Sequence, residues 1–146
     1  MRLDSPVLKH NQSLPAKYTC DGEGVSPPLE FVDVPQEAVS LVLMVTDPDA
    51  PTKTWVHWVV FDIDPTTTEV TEDAIPKGGV QGMNDSGKTN YVSLCPPSGK
   101  HRYIFTLHAL DTTLNLKKGV SYTEVEEQME GHILVTADLV TTYIRQ

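Results

Sequence analysis

The sequence predicts one β-dominated domain, an antiparallel sandwich with a short surface helix, and three observations support this class. The chain has 146 residues, which suits a single domain over residues 1–146 with one hydrophobic core. Its 11 prolines and 9 glycines are scattered between short apolar runs, as is usual in loop-rich β proteins. Most of those runs have the composition or the period of strands, and only one has clear helical spacing.

The first predicted core strands lie in the middle of the chain. Residues 40–46 form a continuous apolar run that stops before Pro48, which predicts a buried strand. Residues 54–62 follow and alternate with the period of a second strand. Strict alternation places His57 on one face with Trp55, Val59 and Phe61, and places Val56, Trp58 and Val60 on the other.

A long irregular stretch separates these strands from the next one. Residues 66–90 are rich in glycine, and a loop of this length inside a compact domain is usually functional or mobile. Residues 101–110 then alternate again and predict a third long strand. On that strand His101 and Tyr103 share a face, because side chains two residues apart point the same way.

The C-terminal part predicts one helix and a last strand. The spacing of Ser121 and Glu124 is that of a capping box. Apolar residues then recur at helical intervals, and Gly131 stands where the helix would stop. From residue 132 to residue 144 β-branched residues return. They favour a strand, with a helix as the alternative.

Charge and composition limit the partners and the location. The formal net charge of -9 disfavours nucleic acid and anionic membranes, which need a broad basic face. Residues 1–19 contain no long apolar run, so neither a signal peptide nor a transmembrane segment is predicted and a cytoplasmic location is expected.

The two cysteines, Cys20 and Cys95, fit no zinc-ligand spacing. Two free thiols are the first interpretation and a disulfide is the alternative. No cofactor is predicted.

The first polar segment reads Asp-Pro-Asp-Ala-Pro over residues 47–51 and ends the first buried strand. Its prolines fix the backbone, and the carboxylates of Asp47 and Asp49 face different ways. A plain turn is the alternative. His57 follows inside an apolar strand, where an imidazole needs a hydrogen-bond partner. We expect Asp47 or Asp49 to hold one ring nitrogen and so to aim the other at a ligand; a core histidine without function is the alternative.

The second polar segment joins two stiff prolines to a flexible glycine and a polar strand end. Residues 96–100 provide a rigid wall and then Gly99. His101 and Tyr103 point the same way at the start of the next strand, so we expect them to line a pocket. Arg102 points the other way, and its planar guanidinium suits a carboxylate that orders the loop.

Two imidazoles, a phenol and the backbone N–H groups of a glycine-containing turn together predict an anion receptor. We expect phosphate as the anion. A carboxylate beside it would repel phosphate unless it binds a histidine or faces a cation, so a phosphoester with an amine is the expected ligand class. The predicted ligand-binding residues are Asp47, Asp49, His57, Pro96, Pro97, His101 and Tyr103, supported by Arg102, Gly99 and Trp55.

Short motifs over almost the whole chain carry a family resemblance. They are Tyr18–Gly22, Ser26–Leu29, Asp47–Pro51, Trp55–Trp58, Gly82–Asp85, Pro96–Gly99, His101–Tyr103 and Gly131–Leu134. In this order they resemble the phosphatidylethanolamine-binding proteins (PEBP) of the bacterial and archaeal Raf-kinase-inhibitor-like branch.

The resemblance implies a PEBP-like sandwich of two antiparallel sheets, with one or two short peripheral helices and a small anion pocket. It also implies a phospholipid head group as ligand and a regulated partner protein, either a kinase or a serine protease. Two positions depart from the family pattern. Ser86 stands where similar proteins usually carry Phe, and residues 90–94 read Asn-Tyr-Val-Ser-Leu instead of Gly-Tyr-Gly-Gly-Pro. We therefore expect a pocket rim of altered shape.

The leading hypothesis is a non-enzymatic protein that binds phosphate-bearing ligands. A serine protease inhibitor is the second hypothesis, with an exposed rigid loop at residues 51–54 or 78–90. A third is a phosphoester hydrolase, or a metal site built from Asp47, His57 and His101. The sequence places no nucleophile clearly beside a base, because only Ser98 lies near a histidine.

Overall fold

The computed structural model describes all residues from 1 to 146. The chain forms nine β-strands, one α-helix and a 3₁₀ turn at Ala16–Tyr18. The strands are β1 (Arg2–Asp4), β2 (Gln12–Ser13), β3 (Leu29–Val32), β4 (Ser40–Asp47), β5 (Trp55–Ile63), β6 (Glu69–Val70), β7 (Val80–Gln81), β8 (Lys100–Leu110) and β9 (Ile133–Ile144), and the helix is α1 (Tyr122–Met129).

The strands form two sheets, as the sequence predicted. The smaller sheet has the strand order β1-β3-β6, and the larger has the order β2-β9-β8-β4-β5-β7. All neighbours are antiparallel except β2 and β9, which run parallel. The stretch at 66–90 is less irregular than expected, since it contributes β6 and β7, one to each sheet.

Two hydrophobic clusters cover the larger sheet on both faces. The larger cluster packs the two sheets together, with Leu3 and Phe31 from the smaller sheet against Leu43 and Phe105 from the larger. The smaller cluster lies on the opposite face, where Val125 and other residues of α1 pack against β4 and β5. The long central strands are therefore apolar on both sides because each side meets another layer.

The helix and the last strand follow the sequence prediction. The Ser121 hydroxyl accepts a hydrogen bond from the backbone N–H of Glu124 at 3.2 Å, which is the expected N-cap interaction. Gly131 has a φ of 82°, a conformation that favours glycine after a helix. The helical alternative for the C-terminal segment is wrong, because β9 pairs with β8 along nearly its whole length.

None of the helices in this structure has both the length and the apolar composition that a membrane span requires.

A register shift in β5 changes the predicted side-chain directions. Val45 pairs with Trp58 and Thr46 pairs with Val56, so His57 has no partner on β4. Such an extra residue breaks the alternation of the strand. His57 consequently contacts Tyr103 of the larger cluster. The prediction that it shares a face with Val59 and Phe61 is wrong, since both belong to the smaller cluster.

A disulfide joins Cys20 to Cys95, whose Cα atoms are 5.3 Å apart. The expectation of two free thiols is therefore wrong. Backbone pairing brings the two segments together: Thr19 forms a bridge with Leu94, and the Cys20 N–H donates to the Leu94 carbonyl at 3.2 Å. Disulfides are rare in the cytosol of most organisms, so this bond lends no support to the expected cytoplasmic location.

Candidate functional site

A cavity of about 330 Å³ opens where β4 ends and β5 begins. The antiparallel pairing of β4 with β5 and β8 brings the end of one strand beside the starts of the other two. The segment before β8 closes the remaining side. The lining residues are Asp47, Ala50, Pro51, Trp55, His57, Ser86, Val92, Ser93, Cys95 and Pro97.

Asp47 is held in the cavity wall by two hydrogen bonds. Its Oδ2 atom lies 2.6 Å from Nδ1 of His101, and its Oδ1 atom accepts from the backbone N–H of Asp49 at 2.8 Å. The side chains of Asp47 and His101 are both almost fully buried. The carboxylate is thus fixed in position, and an imidazole from a neighbouring strand partly satisfies its charge.

His57 binds a backbone carbonyl and not a carboxylate. Its Nδ1 atom lies 3.2 Å from the Val92 oxygen, which can only accept, so Nδ1 carries the proton and the neutral ring keeps Nε2 as an acceptor. The expectation that Asp47 or Asp49 would hold this ring is wrong. Burial lowers the pKa of His57, although Val92 and then Asp47 oppose the shift. The imidazole is therefore neutral at neutral pH.

Tyr103 packs near both imidazoles but does not line the cavity. Its ring centroid is 5.6 Å from that of His57 and 6.4 Å from that of His101. The side chain is fully buried, and its hydroxyl has no hydrogen-bond partner. Burial, with a contribution from Asp47, raises the pKa of this phenol. The unpaired O–H group is a donor that the chain itself leaves unused.

Asp49 faces away from the cavity and binds Arg102. Its carboxylate accepts from the guanidinium at 2.9 and 3.0 Å and from the Arg102 backbone N–H at 2.8 Å. The predicted pairing of Arg102 with a carboxylate is confirmed. The Arg102 side chain is the main reason that the pKa of Asp49 falls to about 2. The ion pair between Asp49 and Arg102 thus joins the loop after β4 to the start of β8.

The cavity also offers uncharged donors that the chain does not use. The backbone N–H groups of Ser93 and Cys95 form no hydrogen bond within the chain, and the hydroxyls of Ser86 and Ser93 have no partner either. Backbone N–H groups, hydroxyls and an imidazole are the donor types that bind oxyanions in proteins. The lining residues therefore carry donor types that suit an oxyanion, together with one carboxylate in the same cavity.

A family model described as phosphatidylethanolamine-binding protein matches residues 4–144. This chain belongs to the phosphatidylethanolamine-binding protein family. The UPF0098 protein of Methanothermobacter thermautotrophicus is 49% identical over 150 residues, covering 99% of both chains. The UPF0098 protein of Chlamydia trachomatis is 44% identical over 148 residues, covering 98% of both.

Solved structures of this family have the same fold. A phosphatidylethanolamine-binding protein homolog, CT736 from Chlamydia trachomatis, matches with a TM-score of 0.94 and 43% identity, over 99% of this chain and 97% of that one. YbcL of E. coli, described as a new member of the mammalian PEBP family, matches with a TM-score of 0.92 and 30% identity, over 99% and 98% of the two chains.

The structure divides the predicted PEBP site residues into two groups. Asp47, His57 and Pro97 line the cavity, and so does Trp55, which was expected only to support it. The others lie behind or beside the cavity: Asp49, Pro96, Gly99, His101, Arg102 and Tyr103 are absent from its lining. No group of three or more His, Cys, Asp or Glu side chains is arranged to hold a metal ion.

Sequence reasoning missed the part of the cavity that residues 92–95 form, although it included Pro97 from the same loop. Val92, Ser93 and Cys95 line the cavity, and Val92 also holds His57. The signal lies in the two departures from the PEBP pattern, at Ser86 and at residues 90–94. What the sequence did not show was that both departures add hydroxyl groups to the lining.

Proposed function

We propose that this PEBP-family protein binds small phosphate-bearing ligands, of which phosphoethanolamine-like head groups fit best, and performs no chemistry on them. The observation that carries the proposal is the combination of His57, free backbone N–H groups and free hydroxyls in one cavity with the buried carboxylate of Asp47. Phosphatidylethanolamine, after which the family is named, carries this head group.

The donors of the cavity suit the phosphate end of such a ligand. The N–H groups of Ser93 and Cys95 and the two serine hydroxyls are free to donate to phosphate oxygens. Neutral His57 presents Nε2 as an acceptor for a protonated oxygen, and after protonation the same atom becomes a charged donor. A cavity of about 330 Å³ has the size of a site for a small molecule.

The carboxylate of Asp47 suits the amine end. A bare phosphate close to Asp47 meets charge repulsion, whereas an ammonium group on the same ligand pairs with it. Trp55 lies in the same lining, and an aromatic ring also attracts a cation. We therefore expect a ligand with both charges to bind more tightly than a ligand with either one.

The contacts of the candidate nucleophiles support binding without catalysis. Ser98 makes no hydrogen bond to His101, whose Nδ1 atom is engaged by Asp47. Ser86 and Ser93 are likewise not hydrogen-bonded to His57. A serine nucleophile needs such a base within reach.

The proposal also includes regulation of a partner protein, either a kinase or a serine protease, by the ligand-bound or ligand-free protein. This part follows from the family resemblance.

Isothermal titration tests the proposal with four probes: inorganic phosphate, ethanolamine, phosphoethanolamine and phosphoserine. We expect phosphoethanolamine to bind more tightly than phosphate or ethanolamine alone. His57→Gln should weaken it about tenfold through loss of the ring contact. His132→Gln is the matched control, because His132 is exposed and lies outside the cavity lining.

Equal affinity of wild type and His57→Gln for phosphoethanolamine would contradict the proposal. Hydrolysis of phosphoserine or phosphoethanolamine, followed as released phosphate, would contradict the absence of chemistry. Inhibition of trypsin or chymotrypsin that phosphate does not relieve would support the inhibitor hypothesis instead. The exposed loop at residues 51–54 is its candidate contact, but Lys53 in that loop is already bound to Asp85.

A further inference from the structure

We propose a second ligand site in this protein, for a neutral small molecule rich in hydroxyl groups, such as a sugar or a polyol. The site is a cavity of about 340 Å³ that shares no lining residue with the first one. Its chemistry is set by Ser26, Trp58, Asp73, Gln81, Asn90 and Tyr91. The inference does not depend on the phosphate-binding function proposed above.

Two nearly buried residues present unpaired polar atoms in the lining of this cavity. Ser26 is only 4% exposed, and its hydroxyl makes no hydrogen bond within the chain. Gln81 is 8% exposed, and its Oε1 atom accepts from the Trp58 indole N–H at 2.7 Å. That bond leaves the Nε2 donor of Gln81 without a partner. Neither atom is sealed from solvent, so both are accessible and free to bind a ligand that enters the cavity.

An aromatic pair and small apolar side chains form the rest of the wall. The rings of Trp58 and Tyr91 meet edge to face, with centroids 5.6 Å apart. The Tyr91 hydroxyl donates to the Tyr18 carbonyl at 2.9 Å, which fixes the ring. Val25 and Ile75 add apolar surface. Rigid aromatic and aliphatic surface beside a few placed polar groups is the usual composition of a small-molecule site.

The charge of the cavity selects the ligand class. Asp73 is an exposed residue at the edge of this cavity, and its side chain forms no ion pair or hydrogen bond within the chain. An anionic ligand would be repelled by this carboxylate. A simple amine would satisfy Asp73 but would leave the Nε2 donor of Gln81 unpaired. A hydroxyl group both donates and accepts, so a ligand with several hydroxyls satisfies Asp73, Gln81 and Ser26 together.

A single segment separates the two cavities. Tyr91 lines the second cavity, whereas the next residue, Val92, lines the first. The two tryptophans of the chain are divided in the same way. Trp55 lines the first cavity and Trp58 lines the second. Each cavity therefore has its own fluorescent reporter.

Fluorescence titration of Trp55→Phe, in which Trp58 is the remaining tryptophan, tests the second site. The probes are glucose, galactose, trehalose, myo-inositol and glycerol, with putrescine and inorganic phosphate for comparison. We expect a saturable change with at least one hydroxylated probe and none with phosphate or putrescine. Saturation-transfer NMR with the same probes detects binding that leaves the fluorescence unchanged.

Asp73→Asn is the informative substitution, because it removes the charged acceptor while keeping the size of the side chain. Asp73 has a φ of 57°, which Asn tolerates as well as Asp does. We expect the affinity for the best probe to fall about tenfold. Asp33→Asn is the matched control, since Asp33 is exposed, has a φ of 55° and lies outside the cavity.

The outcomes separate the two proposals. A response to putrescine in the absence of any response to the hydroxylated probes would overturn the ligand class. No binding of any probe by fluorescence or NMR would overturn the site. Equal losses in Asp73→Asn and Asp33→Asn would also overturn it. Phosphoethanolamine binding, followed through Trp55 in Trp58→Phe, reports on the first cavity alone.

Discussion

The Nδ1 atom of His101 lies 2.6 Å from the Oδ2 atom of Asp47, and the two side chains are only 8% and 5% exposed. The pair connects the end of β4 to the start of β8. It also sets where the carboxylate stands in the cavity wall. His101 thus acts on the site through Asp47, although it does not line the cavity itself.

Breaking this pair should destabilise the fold. His101→Leu keeps a similar volume but leaves the buried Asp47 carboxylate with only the Asp49 backbone N–H as partner, so we expect a loss of about 3–5 kcal/mol in the free energy of unfolding. Urea denaturation at neutral pH measures it. His132→Leu is the control, because His132 forms a similar contact with Asp111 but both side chains are about half exposed. Such a pair contributes less than about 1 kcal/mol. Similar losses in the two variants would contradict the interpretation.

Stability should fall on mild acidification because of His57. Burial lowers its pKa in the folded protein, whereas the unfolded chain titrates near about 6.5. Between these two values the unfolded state binds more protons, so stability rises with pH and is lost as pH falls below about 6.5. Denaturation of wild type and His57→Gln across this range measures the effect.

The dependence of stability on pH should be weaker in His57→Gln than in wild type, but it should not vanish. Burial also lowers the pKa of His108. This imidazole therefore adds a second contribution, of the same sign, to the pH dependence of stability. Adding His108→Gln should therefore weaken the pH dependence further than His57→Gln alone. If stability depends on pH equally in wild type and in His57→Gln, then the His57 imidazole of the wild type does not titrate as its burial requires.

Anion affinity should increase on acidification. Protonation turns Nε2 of His57 into a charged donor, and this occurs below about 6.5 because burial lowers the pKa of the ring. Sulfate is the probe, since its own charge is constant over this range. Titration calorimetry should show tighter sulfate binding to wild type as pH falls, with no such trend in His57→Gln. A pH-independent affinity would assign the binding to the backbone and hydroxyl donors.

The Asp49 carboxyl should titrate near its depressed pKa of about 2 when followed by NMR. Arg102→Ala removes the guanidinium that lowers it, so the pKa should rise toward its ordinary value. Because the folded pKa is below the unfolded one, this contribution to stability is present at neutral pH and is lost as pH falls through the acidic range. An unchanged Asp49 titration in Arg102→Ala would contradict the assignment.

Reduction of the disulfide should destabilise the chain strongly. The bond links residues 75 positions apart, and chain-entropy models assign about 4 kcal/mol to a loop of that size. Urea denaturation with and without dithiothreitol measures the loss. The double variant Cys20→Ala and Cys95→Ala should have the reduced stability under both conditions. A wild type that is equally stable with and without the reductant would contradict this expectation.

Elements with a local cause could be predicted from the sequence. Residues 40–46 and 101–110 became β4 and β8 because their apolar content and alternation match a covered sheet. The helix was predictable because Ser121 and Gly131 mark its ends. The pairing of Arg102 with a carboxylate followed from its direction on the strand.

Features that depend on distant segments could not be predicted in the same way. The partner of His57 is a carbonyl 35 residues away, and backbone carbonyls have no signature in a sequence. The disulfide depends on the bridge between Thr19 and Leu94, which no spacing of cysteines reveals. The hydroxyl-rich lining of the first cavity likewise required the loop before β8 to be placed in space.

The unpaired position at His57 makes the site separable from the sandwich that carries it. Deleting that one residue would let Val56 and Trp58 continue a regular ladder with Thr46 and Val45. The cavity would lose its imidazole, and Val92 and Asn84 would lose the carbonyl that accepts from them. In evolutionary terms, the loss of a single codon would remove the ligand contact and an anchor of the loop beside it, while the pairing of β4 with β5 became regular.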